Sequence, residues 1–412
     1  MKRTILIVAT CWVVATSATL EAETKMRASD AGQWDAFGEE AASDGSHLIV
    51  GASQAPPRGG AAYVYSWDGT GWGNEVQLRG HDQTKRDFFG SDVDIDGDRA
   101  IVGARWHDPL DRGLQNNKYG AAYFFQRSET GWDQVSFVQA SDRQLNHEFG
   151  GAVAISGDHA VVGAIFTEVE GRANQGQVYV FSHKDGQWTE SQILVAADGK
   201  ASDHFGESVD IDGDYIFVGG VHHPGGAYGH SIGAVWVFKR GAGNEWRLET
   251  KLAPSDLEDG NAFGSSVEIS GDVAIVGAQL AHGAETGTGT AYIFRRDATG
   301  WTQEARLTAE RGRLGDDFGH RVAIDGDRAL VGAWLAQVGD EGLQQGRAYV
   351  FDKAASGWTQ RAMMTAGDGG YEDQFGSSVA LAGDSLIVGA SGDGAEGTER
   401  SGSLYVYDVP PR

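Results

Sequence analysis

The chain has 412 residues, of which 61 are glycine, 7 are proline and 41% are hydrophobic. This apolar content is enough to build a core, so a disordered or collagen-like chain is excluded. The formal net charge of −25 repels phosphate, which makes nucleic acid and anionic membrane surfaces poor partners. We therefore expect a globular, glycine-rich β protein.

Residues 1–22 have the features of a secretion signal. Two basic residues precede an uncharged apolar run that ends at Leu20, and we expect cleavage near Ala22. The alternatives are a retained membrane anchor, for which the run is short, and a lipoprotein modified at Cys11. We expect a protein exported to the periplasm, the cell surface or the medium. Because Cys11 is the only cysteine, the mature chain would have no disulfide.

A seven-fold repeat organises the rest of the chain. The dipeptide Phe-Gly recurs seven times, at Phe37, Phe89, Phe149, Phe205, Phe263, Phe318 and Phe375. In every copy, one glycine lies eight residues after this Phe and another lies fourteen residues after it. Six tryptophans each lie seventeen residues before the next Phe-Gly, and their fixed register predicts a role in packing: Trp72, Trp132, Trp188, Trp246, Trp301 and Trp358. A repeat of this length indicates a β-propeller rather than a helical solenoid.

Each repeat contains four short β-type runs separated by turn residues. In the sixth copy we predict strands over residues 320–325, 329–333, 347–351 and 358–365. The first run alternates apolar and polar residues, and the second is almost continuously apolar, as in a strand that is covered on both faces. The sequence therefore predicts an all-β protein: a seven-bladed propeller of four-stranded antiparallel blades in one domain, residues 23–412.

The two ends of the chain predict how the ring closes. The seventh copy ends after its third strand, and Met26 stands where the fourth strands of the other copies have Leu or Met. We therefore expect residues about 23–28 to complete the last blade, which removes an open sheet edge.

The motifs Phe-Gly, Val-Gly-Ala and Gly-x-Ala-Tyr-Val-Phe resemble the FG-GAP repeat of integrin α-subunit propellers and their bacterial relatives, over residues 23–407. The resemblance implies a seven-bladed propeller that binds proteins through one face and holds calcium in loops on the other. Its integrin-type calcium loop has a carboxylate at the ninth position, and this chain lacks it. The weak calcium candidates are Asp94, Asp96, Asp98, Asp210, Asp212 and Asp214. A tight Gly-Asp turn is the favoured interpretation, so calcium is not expected as a cofactor.

Acidic residues also recur before Phe-Gly. An aspartate lies seven residues before Phe in six copies, and another lies two residues before it at Asp35, Asp87, Asp203, Asp316 and Asp373. We expect these side chains to accept backbone N–H bonds in the loop between blades. The alternative is a ring of carboxylates near the axis that binds a divalent cation or a basic ligand.

Loop lengths predict the binding face. The loop between strands two and three (the 2–3 loop) varies most between copies, and it emerges on the same face as the 4–1 loop that leads into the next blade. The candidate ligand-binding residues are Arg105, Trp106, His107, Asp108, Arg112, Phe166, His222, His223, Tyr228 and Trp334. For the aromatic candidates that directly follow a second strand, the alternative is a cap on the core. For the adjacent histidines, it is a solvated loop pair.

No catalytic motif of the common hydrolase, metalloprotease or phosphate-binding kinds is present. The sequence favours an exported, non-catalytic binding or adhesion module, expected to be a monomer, whose partner is an extracellular protein or glycan. The alternatives are a secreted calcium-dependent hydrolase or lyase with an acidic axial site, and a structural component of the cell envelope.

Overall fold

This computed structural model of the protein describes residues 23–55, 59–108, 118–224, 232–258, 260–283, 287–339, 343–394 and 399–409. The chain in these ranges is all β, and its strands are numbered β1 to β30 in order. It contains no helix long and apolar enough to cross a membrane. Seven four-stranded antiparallel sheets form the blades of a propeller, as predicted.

Strand bounds repeat closely between blades. Blade one contains β2 (Ala41–Ser43), β3 (His47–Ala52), β4 (Ala61–Trp67) and β5 (Trp72–Leu78). Blade two contains β6 (Phe89–Asp96), β7 (Arg99–Ala104), β8 (Ala121–Ser128) and β9 (Gly131–Val138). Blade three contains β10 (Val153–Ser156), β11 (His159–Ala164), β12 (Gln177–Lys184) and β13 (Gln187–Leu194). Blade four contains β14 (Val209–Asp212), β15 (Tyr215–Gly220), β16 (Ala234–Arg240) and β17 (Trp246–Leu252).

Blade five contains β18 (Phe263–Ser270), β19 (Val273–Ala278), β20 (Thr290–Asp297) and β21 (Gly300–Leu307). Blade six contains β22 (Val322–Asp325), β23 (Arg328–Ala333), β26 (Arg347–Ala354) and β27 (Gly357–Met364), with a small hairpin of β24 (Gln337–Val338) and β25 (Leu343–Gln344) in its 2–3 loop. Blade seven contains β28 (Phe375–Ala382), β29 (Ser385–Ala390), β30 (Ser403–Asp408) and, as its outer strand, β1 (Glu23–Met26).

The ring closes through strand β1, which confirms the sequence prediction. It pairs antiparallel with β30, from Glu23 opposite Tyr407 to Met26 opposite Leu404. A second closure lies nearer the axis, where Phe37 forms a parallel bridge with Gly402. Blade seven is therefore built from both ends of the described chain.

Packing between blades explains the repeated glycines. The buried hydrophobic residues form seven clusters, each shared by two adjacent blades. The glycine fourteen residues after Phe lies directly against the next blade: a Cβ on Gly103 would be 2.1 Å from the carbonyl oxygen of Gly150. A side chain at this position would hold the blades apart, which accounts for a glycine in all seven copies.

The innermost strand of each blade sets the lining of the axis. In β6, Val93 and Ile95 are buried between the blades, while Asp92 and Asp94 remain partly open. Because side chains on a strand point alternately to its two faces, the positions three, five and seven residues after each Phe face the axis. The polar residues at these positions form an axial channel of about 560 Å³.

Candidate functional site

Inward-facing carboxylates join neighbouring blades along the channel. Asp94 accepts the backbone N–H of Ile155 in the next blade at 2.7 Å, and Asp210 accepts that of Ile269 at 2.6 Å. Glu268 makes the same contact with blade six at 3.0 Å. These N–H groups lie on the free edge of an inner strand, so each carboxylate satisfies a donor that would otherwise have no strand partner.

The channel carboxyl groups hold their protons more tightly than exposed ones. Burial raises the pKa of Asp210 to about 7. Burial first, and the charge of nearby carboxylates second, raises the pKa of Asp94 and of Glu268 well above the ordinary carboxyl value. Asp210 therefore changes charge within the physiological pH range, and burial favours the protonated forms of Asp94 and Glu268.

The other calcium candidates lie at the turns that end the inner strands. Asp98 contacts Arg127 at 3.2 Å, and Asp214 pairs with Arg240 at 2.5 Å. The seven turn glycines all have positive φ, as the turn interpretation predicts: Gly45, Gly97, Gly157, Gly213, Gly271, Gly326 and Gly383. Across the described part of the chain, no three His, Cys, Asp or Glu side chains are grouped so that they could hold a metal ion.

An ion pair divides the axis into two compartments. The guanidinium of Arg321 in blade six donates to both carboxylate oxygens of Glu40 in blade one. Both residues line the axial channel and also a second cavity above it. Burial would lower the pKa of Arg321, but the adjacent Glu40 carboxylate outweighs this effect and raises it. Arg321 therefore stays charged.

The second cavity, which we call the mouth cavity, has a volume of about 490 Å³. Its walls come from the 2–3 and 4–1 loops, so it opens on the face formed by those loops, the mouth face. Trp34, which is 48% exposed, and Trp334 contribute aromatic surface. Arg105, Arg400 and several Gln and Ser side chains contribute polar groups. The cavity combines aromatic faces with hydrogen-bonding groups, as ligand sites do.

The pKa values of three groups in the mouth cavity, Glu39, Glu207 and His320, are shifted toward the neutral forms. Burial raises the pKa of Glu39 and of Glu207, although Arg105 and Arg321 act in the opposite direction. Burial also lowers the pKa of His320 well below its ordinary value, and the charge of Arg321 adds to this effect. The neutral His320 ring stacks on Trp334 with 4.9 Å between ring centroids.

The 4–1 loops that surround the mouth share an unusual backbone. The residues one before each Phe all have positive φ, and none is glycine: Ala36, Phe88, Glu148, His204, Ala262, Asp317 and Gln374. The residues three before each Phe also have positive φ; two of them are glycine, Gly260 and Gly315, and the other five, which include Trp34, are not. Positive φ is costly for side chains of this size, so neighbouring contacts must hold the loops in place. The positive φ at these two positions is constant, whereas most of the side chains differ between blades.

The acidic residues before Phe-Gly have two separate structural roles. The aspartates that lie two positions before Phe accept the backbone N–H of the residue three positions before the aspartate, as predicted. Asp203, for example, accepts the N–H of Lys200 at 2.7 Å. Five of the six aspartates seven positions before Phe instead accept a hydrogen bond from an aromatic residue of the third strand. Asp82, for example, accepts the hydroxyl of Tyr123 at 2.9 Å, and Asp198 accepts the indole N–H of Trp236 at 3.1 Å. Neither set forms a ring of free carboxylates at the axis.

Some of the predicted site residues come together at the mouth. Arg105 and Trp334 line the mouth cavity. Trp106 lies beside Arg105 and packs on Phe88, with 4.2 Å between ring centroids. Asp108, which follows in the same loop, is partly exposed.

Phe166 and His222 belong to a different group on the same face. Both contact His204, with centroid distances of 5.1 Å and 4.8 Å. His222 is exposed and Phe166 is partly buried. Arg112 and Tyr228 fall outside the described residues.

Two predicted histidines are structural instead. His107 is 1% exposed and its Nδ1 lies 2.9 Å from Asp87, and His223 is 5% exposed with Nδ1 2.8 Å from Asp203. Both stand eighteen residues after a Phe-Gly phenylalanine. That shared repeat position is a sequence signal for a structural role, and their burial leaves neither ring open to a ligand.

Sequence reasoning missed the inner half of the mouth cavity. Glu39, Glu207, His320 and Arg321 lie two or three residues after Phe, at the start of the inner strands. The alternation of the first strand predicts an axial position for Arg321, three residues after Phe, but not for Glu39, Glu207 and His320, which lie two residues after it. Trp34, in the 4–1 loop before blade one, was missed because that loop hardly varies in length.

The chain matches the family model described as FG-GAP repeat seven times. The matched residues are 21–65, 72–125, 132–181, 188–238, 246–294, 301–351 and 358–407. Each match begins near an outer strand, contains one Phe-Gly dipeptide and ends in the third strand of the following blade.

Proposed function

Because this chain belongs to the FG-GAP repeat family, whose propellers commonly serve in binding, we propose that it is an exported, non-catalytic binding module for an extracellular protein or glycan. The ligand binds on the mouth face, and the mouth cavity receives part of it. The observation that carries the proposal is this cavity, where aromatic surface and hydrogen-bonding groups converge from the loops of several blades.

The loops around the mouth support recognition in a second way. Positive φ recurs at the same two positions of the 4–1 loop in every blade, whereas most of the side chains at these positions differ. A fixed backbone with varied side chains places chemically different groups at known positions, and it loses little entropy when a ligand binds. The exposed residues Leu145, Leu314 and Tyr371 extend this surface outward from the cavity.

Export is supported by the sequence before the first strand. The basic and apolar segment of residues 1–22 lies outside the described residues, and strand β1 begins directly after it, at Glu23. The excess of acidic residues also suits a protein that stays soluble outside the cell. N-terminal sequencing of the protein purified from a secreting host tests the expected cleavage near Ala22.

The binding proposal is tested with the exported protein on printed arrays of polysaccharides and of extracellular matrix proteins. The test variant carries Trp34→Ala and Trp334→Ala, which remove the aromatic walls of the mouth cavity. The matched control is Trp67→Ala, because Trp67 is 37% exposed and lies at the end of a third strand, near the opposite face. We expect a ligand whose binding falls at least tenfold in the double variant and is unchanged in the control. A ligand that binds all three proteins equally contradicts the proposal.

The same arrays address the enzyme alternative. Glu39 and Glu207 are carboxyl groups of raised pKa beside a ligand-sized cavity, which is an arrangement that acid catalysts use. Shortened glycan products that appear with the wild type, and are absent with Glu207→Gln or with a calcium chelator, would favour a secreted calcium-dependent hydrolase or lyase. Absence of any bound probe would favour the structural envelope role.

A further inference from the structure

The three arginines of the mouth cavity differ in their partners. Arg321 is bound by both carboxylate oxygens of Glu40, and Arg400 pairs with Glu372. Among the described residues, no carboxylate lies within ion-pair distance of Arg105. Its Nε is buried and has no hydrogen-bond partner. The chain has 58 acidic and 33 basic residues, and yet, within its described part, this guanidinium has donors to spare at the wall of a cavity.

Aromatic contacts hold Arg105 in position without using its N–H groups. The guanidinium carbon lies 5.5 Å from the ring centre of Phe88 and 5.9 Å from that of Trp106. Lys118 lies 3.9 Å from the Trp106 ring and so helps to fix the indole. Stacking on aromatic faces satisfies the cation but leaves its in-plane donors free. Arg105 is therefore oriented before any ligand arrives.

The charges around Arg105 favour an anionic group at this point. The carboxylates of Glu40 and Glu148 are engaged by Arg321 and by Lys118, which lies 2.8 Å from Glu148. Glu39 and Glu207 are the remaining acids of the cavity, and burial disfavours their charged forms. A planar guanidinium with free donors matches a carboxylate, which it binds through two parallel hydrogen bonds.

We infer that the mouth cavity binds an acidic glycan and that Arg105 receives a sugar carboxylate; this deepens the proposed function and rests on it. The indole surfaces of Trp34 and Trp334 suit the apolar faces of pyranose rings. The side chains of Gln54, Gln374 and Ser391 line the same cavity and suit sugar hydroxyl groups. The cavity volume of about 490 Å³ is in the range of small-ligand sites, as the end of an oligosaccharide requires.

The test uses isothermal titration of the exported protein with three acidic tetrasaccharides: tetragalacturonate, tetramannuronate and a glucuronate-containing heparosan fragment. Each is compared with its carboxyl-reduced form, which keeps the sugar rings but removes the charge. The variants are Arg105→Gln and Arg105→Lys, with Arg361→Gln as the matched control on the exposed surface of an outer strand. A peptide with a free C-terminal carboxylate, and the same peptide amidated, test the protein alternative. Thermal melting confirms that each variant is folded.

We expect at least one acidic tetrasaccharide to bind, and its carboxyl-reduced form to bind about 10- to 100-fold more weakly, as for loss of a charged hydrogen bond. Arg105→Gln should weaken the acidic ligand by a similar factor and leave the reduced form unchanged. Arg105→Lys should recover only part of the loss, and Arg361→Gln should bind as the wild type does.

Three outcomes would overturn the inference. The first is equal binding of the acidic and the carboxyl-reduced sugars that is weakened by the Trp34→Ala and Trp334→Ala changes. This result would retain the mouth as a glycan site and reject the role of Arg105. Binding of only the free-carboxylate peptide would assign the cavity to a protein terminus. Binding of no tetrasaccharide also rejects the inference, whereas the proposed function fails only if no array ligand depends on the two tryptophans.

Discussion

The close contact between blades at Gly103 leads to a quantitative prediction. Replacing Gly103 with alanine adds a Cβ that would lie 2.1 Å from the carbonyl oxygen of Gly150, whereas such contacts essentially never fall under 3.0 Å. The two blades must therefore separate by about 1 Å at this point. Both clashing groups are fixed to backbone, so no side-chain rotation relieves the contact.

The expected cost follows from these distances. Overpacking a dense interior costs about 1–3 kcal/mol, and the rigid contact at Gly103 places this case at the upper end, near 3 kcal/mol. The lower backbone entropy of alanine in the unfolded chain returns about 0.4–1 kcal/mol. We therefore expect Gly103→Ala to lower the free energy of unfolding by about 2–3 kcal/mol.

The assay is equilibrium denaturation in urea, followed by tryptophan fluorescence and circular dichroism. Gly73→Ala is the matched control because no atom lies within 4 Å of the Cβ it would add and its φ is not positive. The control should be neutral or slightly stabilising. If the two variants unfold at the same urea concentration, the blades do not depend on glycine at this contact, and the steric argument is refuted.

Three further predictions concern the rest of the ring. Deleting residues 23–26 should lower the free energy of unfolding by about 3–5 kcal/mol, roughly 1 kcal/mol for each lost hydrogen bond, and should cause aggregation at the freed edge of β30. Thermal melting measures the first effect and light scattering the second. An unchanged melting temperature would contradict closure of the ring by this strand. His107→Ala should lower the free energy of unfolding by about 3 kcal/mol because it breaks a buried pair with Asp87. The same urea titration should show a loss of under about 0.5 kcal/mol for His222→Ala, because His222 is exposed. The pKa of Asp210 is about 7 in the folded state, against the ordinary 3.8 expected in the unfolded chain. Its stabilising contribution is therefore present below pH 4 and is lost as the pH rises to 7. Asp210→Asn imitates the protonated acid. In this variant, the free energy of unfolding should fall by about 1–3 kcal/mol less between pH 4 and pH 8 than in the wild type. An equally steep fall in the variant would contradict the raised pKa of Asp210.

The repeat made most of the fold predictable from the sequence. Fixed offsets of glycine and Phe in seven copies locate the strands of blade six to within three residues, and they identified β1 although it lies far from its partner in the sequence. Such prediction works because every blade has the same contacts to satisfy. The glycines that allow neighbouring blades to approach are the residues that cannot change.

The candidate site was less predictable because it depends on where the blades meet. Loop-length variation led to Arg105 and Trp334 but also to His107 and His223, whose burial depends on Asp87 and Asp203 in another loop. The pairing of Glu40 with Arg321 joins residues 281 positions apart in blades that are not neighbours. No local pattern encodes this contact, which arises only when the ring has closed.

Strand β1 also determines how the molecule would be presented at a surface. It is the outermost strand of blade seven, and it runs toward the mouth face, from Glu23 to Met26. A chain that enters at Glu23 therefore approaches along the rim from the opposite face. A support joined ahead of Glu23, such as a resin or a lipid anchor, would lie behind the propeller and leave the mouth cavity pointing outward.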